Sequence, residues 1–185
     1  MRKITTLFFA GLAFLGVAAI GCNGYDQETF TATLNGASEV GPTGSAATGT
    51  FSIVFDGPAA KYTLNVTNLA GITAAHIHTG AAGANGNVMV WVYDGRPSSC
   101  PAGASAGCPD VAAYTGPLGV GSFTADMVTA CQTVGTLPGT CQATTGVTPT
   151  RSYDNILADA RASTGYVNIH TTTFNGGEIR GQIHP

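Results

Sequence analysis

The sequence predicts an all-β domain, a Greek-key β-sandwich with one short helix, and three observations carry this prediction. Short runs of β-branched and aromatic residues recur along the chain and alternate with polar residues. The chain contains 26 glycines and only 9% charged residues, which suits short strands joined by many turns. The sequence shows no long helical repeat. Strands at such short, turn-bounded spacing favour a sandwich.

The length of the chain indicates one domain. A chain of 185 residues can bury a core of its own. We predict a signal peptide at residues 1–21, a lipidated tether at 22–29, and a single domain at 30–185 with loop insertions near 94–152.

The N-terminus has the pattern of an export signal. Arg2 and Lys3 precede an uncharged, largely apolar stretch at 4–20. The stretch ends at residues 19–22, Ala-Ile-Gly-Cys, which resembles the lipobox of bacterial lipoproteins and makes Cys22 the predicted lipidation site. An ordinary signal peptide cut near Gly21 is the alternative. The prediction places the protein in the bacterial cell envelope, outside the cytoplasm, and bound to a membrane through the lipid.

The first strands follow from alternation and turn residues. We predict strands at 30–34, 48–55, 61–67, 74–79, 88–93 and near 121–124. The fourth and fifth should form a hairpin whose loop ends near Asn85 and Gly86. In the fifth strand, strict alternation would place Val88, Val90 and Val92 on one face.

Residues 94–152 contain four of the five cysteines. With Cys22 lipidated, an exported protein should pair the remaining four in disulfides. The spacing favours Cys100 with Cys108 and Cys131 with Cys141, although four cysteines allow other pairings. This segment is therefore predicted to form two long loops pinned by disulfides.

A short helix is predicted at residues 152–163. Ser152 or Asp154 can cap it, and Gly165 follows its end. Two strands after it complete the domain.

The histidines lie on strand-like segments, at positions that alternate with apolar residues. If Ile77 faces the core, then His76 and His78 face the other side of the sheet. The same rule places His170 outside the apolar layer in the strand that contains Ile169.

This pattern predicts a site for one metal ion. His76 and His78 share a face, and His170 completes a set of three imidazoles if its strand is a neighbour. Glu178 is a possible fourth ligand, or it pairs with Arg180 on the same face. The alternative is structural: the histidines could instead brace the glycine-rich loop that follows His78 by hydrogen bonds.

The chain resembles the CHRD domains, which are named after chordin and are widespread in bacterial extracytoplasmic proteins. The specific blocks are AHIHTGAAGANG at residues 75–86, YVNIHT at 166–171 and GGEIRGQI at 176–183. Further resemblance begins at residue 30, so that it covers almost the whole chain after the leader. It implies an extracytoplasmic β domain but no agreed activity.

The histidine motifs are also similar, more remotely, to those of copper/zinc superoxide dismutases. That resemblance implies an immunoglobulin-like or superoxide-dismutase-like sandwich, with copper as the cofactor at His76, His78 and His170. It also implies that Arg180 steers an anionic substrate. No histidine lies between His78 and His170, so the bridging ligand and the zinc site of those enzymes are missing.

Charge and motifs exclude several functions. Without Arg2 and Lys3, five basic and ten acidic residues remain, a balance of −5 that offers no basic surface for nucleic acid. No phosphate-binding loop is present. The leading hypothesis is a lipid-anchored binding module for an unidentified extracytoplasmic ligand, with copper at the histidines, rather than an enzyme. A dismutase-like copper enzyme and a structural or adhesion module are the alternatives.

Overall fold

The computed structural model describes residues 26–93, 113–126, 128, 136–137, 141–142 and 152–185, with the backbone alone at 136–137 and 141–142. The predicted signal peptide, Cys22 and most of the 94–152 insertion lie outside this part. The same is true of the side chains of all four cysteines in the predicted disulfides. In the part of the chain that is described, no helix is long and apolar enough to cross a membrane.

The described chain is built almost entirely from strands. They are β1 (Glu28–Asn35), β2 (Thr48–Asp56), β3 (Ala59–Leu69), β4 (Ile72–Thr79), β5 (Val88–Tyr93), β6 (Tyr114–Thr124), β7 (Thr136–Leu137), β8 (Cys141–Gln142), β9 (Gly165–Thr171) and β10 (Ile179–Gln182). A short 3-10 helix follows β1 at Gly36–Ser38, and the helix α1 spans Tyr153–Ala162.

Eight strands form one antiparallel sheet in the order β5-β4-β9-β10-β1-β2-β3-β6, while β7 and β8 pair separately. The connections from β3 to β4 and from β6 to β9 join strands that are not neighbours, as Greek-key connections do. The all-β prediction is confirmed. The layers that face each other across the core belong to one continuous sheet that curls into a nearly closed barrel.

The two edges of the sheet meet at β5 and β6. The hydroxyl of Tyr62 on β3 donates a hydrogen bond to the carbonyl of Val92 on β5 at 3.2 Å. A Cβ at Gly119 on β6 would come within 2.8 Å of the same carbonyl oxygen. Glycine at this position therefore permits the close approach that nearly closes the barrel.

The core fills the interior of the curled sheet. Along β1, β2 and β3 buried residues alternate with more exposed ones, as the period of two requires. Phe30 and Phe55 meet edge to face, with ring centroids 5.7 Å apart, and Tyr153 of α1 joins them at 5.4 Å from Phe55. The Tyr153 hydroxyl also donates to the carbonyl of Ala59 at 2.7 Å, which attaches the helix to β3.

The helix is where the sequence placed it. The Ser152 side chain accepts a hydrogen bond from the backbone N–H of Asn155, at 3.0 Å, and caps the N-terminus. Ser163 ends the helix in the left-handed conformation, with φ of 55°.

The hairpin of β4 and β5 is confirmed, but the predicted faces of β5 are wrong. Val88 lies opposite His78, whereas Val90 lies opposite Ile77, so the two valines are on different faces. The pairing contains register shifts between Ala75 and His76 and between Ile77 and His78. Such irregularities break the strict alternation on which the prediction relied.

Candidate metal centre

The structure brings the three histidines of the predicted site together on the outer face of the sheet. Strands β4 and β9 are antiparallel neighbours, with His76 opposite Asn168 and Ala74 opposite His170. His170 is thus the diagonal neighbour of His76, within reach of a large side chain. The ring centroid of His76 lies 4.8 Å from that of His170 and 5.5 Å from that of His78.

One nitrogen from each of the three histidines converges on a common point. These ligand atoms all lie within 4.8 Å of one another, and no carboxylate or thiol joins them among the described residues. Three nitrogens that bind an ion at 2.0–2.1 Å would be separated by about 3.5 Å, so each would need to move by up to about 0.7 Å. Small rotations of the imidazoles are enough for this movement.

Hydrogen bonds donated to backbone carbonyls fix the tautomers of two of the rings. The Nδ1 atom of His78 lies 2.9 Å from the carbonyl oxygen of Gly86, and that of His170 lies 2.8 Å from the carbonyl oxygen of Asn175. A carbonyl only accepts, so in each neutral ring Nδ1 carries the proton and Nε2 keeps a free lone pair. Metal-binding histidines are commonly oriented by this kind of contact.

The free nitrogens are buried and form no hydrogen bond with the part of the chain that the structure describes. Both ring nitrogens of His76, and Nε2 of His78 and of His170, lack a hydrogen bond within the described residues. His76 and His78 are only 6% and 7% exposed. Because a buried polar atom without a partner is costly, an ion that binds one nitrogen of each ring would satisfy three of these four atoms.

Burial also keeps the imidazoles neutral. Desolvation, together with the neighbouring His170 and His78, lowers the pKa of His76 to about 2. Desolvation lowers the pKa of His78 to about 4, and burial lowers the pKa of His170 too. Neutral imidazoles at physiological pH are ready to donate lone pairs to a metal ion.

Aromatic rings form the walls of the cluster. Trp91 on β5 meets His76 edge to face, with centroids 4.1 Å apart. Tyr166 on β9 stacks on His78 at 4.6 Å with an interplanar angle of 8°. The guanidinium carbon of Arg180 lies over the Tyr166 ring, 3.3 Å from its centroid.

Residues 80–87, the glycine-rich loop, cover this face of the sheet. Arg180 donates to the carbonyl oxygens of Ala81 and Ala84 at 3.0 and 2.8 Å. Gln182 donates to the carbonyl of Gly80 at 2.9 Å. The histidines therefore lie outside the apolar core, as alternation predicts, but the loop buries them.

The surroundings of Arg180 and Glu178 differ from those that their predicted roles require. The Arg180 side chain is 1% exposed and braces the loop, whereas a cation that steers substrates faces solvent. The carboxylate of Glu178 accepts hydrogen bonds from Ser45 and Thr171, both at 2.7 Å. It lies outside the group of converging ligand atoms.

His184, the fourth histidine, is exposed, as expected for a residue beside the C-terminus. Its backbone pairs with Thr31 of β1, so the tail is attached to the sheet.

Sequence reasoning did not identify two buried polar residues beside the cluster. Asn168 is 3% exposed and lies directly opposite both His76 and Arg180 in the sheet. Asn168 and His170 flank Ile169 in the strand, and this alternation could have indicated that they share the polar face. Glu39 is 8% exposed, and burial raises the pKa of its carboxyl group. It follows the 3-10 helix, where no periodic pattern could have indicated its burial.

These features define a class: an antiparallel, curled all-β domain with a buried histidine cluster on the outer face of its sheet. The chain belongs to the CHRD domain family, whose model matches residues 30–183. No curated protein and no solved structure shows significant similarity to it.

Proposed function

We propose that this CHRD domain is a non-catalytic binding module of the bacterial cell envelope. In this proposal it is anchored by a lipid on Cys22 and holds one copper-type ion at His76, His78 and His170. The observation that supports the metal site is the convergence of buried imidazole nitrogens that form no hydrogen bond within the described part of the chain. Neutral imidazole is a ligand that suits copper and zinc.

The site predicts binding of one equivalent of copper. Copper added to purified, tag-free protein should bind with a stoichiometry of one and quench the fluorescence of Trp91, the only tryptophan. Loss of an orienting contact typically weakens metal sites by about 10–100-fold, so His78→Ala, which removes a ligand, should weaken binding by at least about 100-fold. His184→Ala is the matched control and should bind like the wild type. Calorimetry with metal analysis measures both, and equal affinities in the two variants would reject the site.

A dismutase-like enzyme is the second candidate, because the order of His76, His78 and His170 resembles that of the copper ligands in superoxide dismutases. The copper-loaded protein would then consume superoxide, and His78→Ala would not. Copper binding without superoxide consumption would reject the enzyme and favour the non-catalytic binding module.

The structural alternative rests on the contact between His78 and Gly86. We predict that His76→Leu abolishes metal binding and leaves the metal-free fold intact or stabilises it. Its ring has no hydrogen bond to lose among the described residues, and relief of a buried unpaired polar group contributes about 1–3 kcal/mol. Urea unfolding measures the change. If His76→Leu instead unfolds the domain, the histidines are structural.

Anchoring is tested separately. Cys22→Ala should move the protein from the membrane fraction to the soluble extracytoplasmic fraction, because a free N-terminus has no acyl chains to insert. Fractionation and the intact mass of the mature protein are the measurements. A wild-type N-terminus without lipid mass would refute the anchor and leave the metal site untouched.

A further inference from the structure

The charge around the histidine cluster favours one oxidation state of copper. On the basis of the proposed metal site, we infer that the cluster selects Cu(I) over Cu(II) and Zn(II), so that the module binds monovalent copper.

The ligand set provides no negative charge. The converging ligands are three imidazoles, without a carboxylate or thiolate in the described part of the chain. Glu178, an acidic residue on the same face, directs its oxygens to Ser45 and Thr171. Glu39, the other buried carboxyl group beside the cluster, also lies outside the group of converging ligand atoms. The full charge of a bound ion would therefore remain in the site. A divalent ion would leave two positive charges without compensation by the ligands, whereas Cu(I) would leave one.

A fixed positive charge lies beside the site. The buried guanidinium of Arg180 lies over the ring of Tyr166, and the ring of His78 stacks on the same tyrosine. The positive charge of Arg180 repels a metal ion held by this imidazole, and Coulomb repulsion is twice as large for a divalent ion as for a monovalent one.

Burial acts in the same direction. His76 and His78 are nine-tenths or more buried, between Trp91, Tyr166 and the glycine-rich loop. The cost of desolvating an ion grows with the square of its charge, so it is about fourfold larger for a divalent ion.

The number of ligands is also suited to Cu(I). Zinc bound by three histidines needs a water molecule or another ligand to complete four-coordination, and Cu(II) prefers tetragonal surroundings. Cu(I) has a filled d shell and is stable with three nitrogen ligands. The described residues bring three nitrogens together.

Competition titrations test this inference. Under anaerobic conditions, tag-free protein is titrated with Cu(I) against a chromophoric Cu(I) chelator, and with Zn(II) and Cu(II) against chelators of known affinity. The Cu(I) dissociation constant should be at least about 100-fold lower than that of either divalent ion. If Zn(II) or Cu(II) binds more tightly than Cu(I) and the binding depends on His78, the inferred preference for Cu(I) is wrong but the proposed metal site stands. Absence of binding for all three ions would overturn the site itself.

One isosteric variant tests the charge argument directly. Asn168→Asp places a carboxylate opposite His76 and should reduce the preference for Cu(I) over Zn(II) by at least about tenfold. Asn65→Asp adds the same charge at an exposed position on β3, which pairs with neither β4 nor β9, and should leave the preference unchanged. Equal preferences in the two variants would show that charge does not select the ion.

Discussion

Acidification from pH 7 to pH 5 should destabilise the metal-free domain strongly, by on the order of 3–4 kcal/mol. The cause is the burial of His76 and His78, which lowers their pKa values to about 2 and about 4. In the unfolded chain both imidazoles have a pKa of about 6.5, so the unfolded state binds protons first as the pH falls.

The sign follows from this difference in bound protons. The stability that the neutral histidines contribute is complete above the unfolded pKa and is lost as the pH falls towards the folded values. Between the unfolded and the folded pKa, each histidine lowers the free energy of unfolding by about 1.4 kcal/mol for each pH unit of acidification. The raised pKa of Glu39 acts in the opposite direction and opposes the loss, because the folded state takes up a proton there more readily than the unfolded chain.

Urea unfolding of the metal-free protein at both pH values measures the effect. His76→Leu should reduce the dependence on pH, because it removes one of the titrating groups. His184→Ala, a change at an exposed histidine, should retain it. Equal unfolding free energies at pH 7 and pH 5 in the wild type would contradict the buried, neutral state of the cluster.

Gly86→Ala should be the most damaging single methyl addition in the glycine-rich loop. A Cβ at this position would collide with the backbone carbonyl of Thr79, whose carbon would be only 2.7 Å away. Because backbone in a paired strand cannot move aside, the loop must shift, at a cost of about 3 kcal/mol or more.

The shift should also weaken the metal site. Gly86 provides the carbonyl that orients His78, and its N–H donates to the Tyr166 hydroxyl at 3.2 Å. Loss of such an orienting contact typically weakens metal binding by about 10–100-fold. Thermal unfolding and copper titration measure the two effects.

Gly176→Ala is the matched control. A Cβ there meets no atom within 4 Å, and Gly176 does not have a positive φ. Its stability and copper affinity should equal those of the wild type. A Gly86→Ala protein that behaves like this control would show that the loop does not hold the histidine ring in place.

The sequence alone determined the features that depend on local periodicity. Alternation of polar and apolar residues placed His76, His78 and His170 on the outer face of their strands. A capping serine and a short apolar stripe located the helix at Tyr153–Ala162. These inferences succeeded because the strand period and helix caps are set by a few consecutive residues.

The tertiary structure alone decided the contacts between segments that are far apart in sequence. Pairing of β4 with β9 brings His170 to His76 across more than ninety residues of chain, and no local pattern specifies this pairing. The glycine-rich loop then buries the polar face, and the register shifts in β4 and β5 separate Val88 from Val90. Arg180 braces the loop because that loop lies over it. Burial, and with it the neutral charge of the imidazoles, is a property of the assembled sheet and its covering loop, because both depend on contacts between residues far apart in sequence.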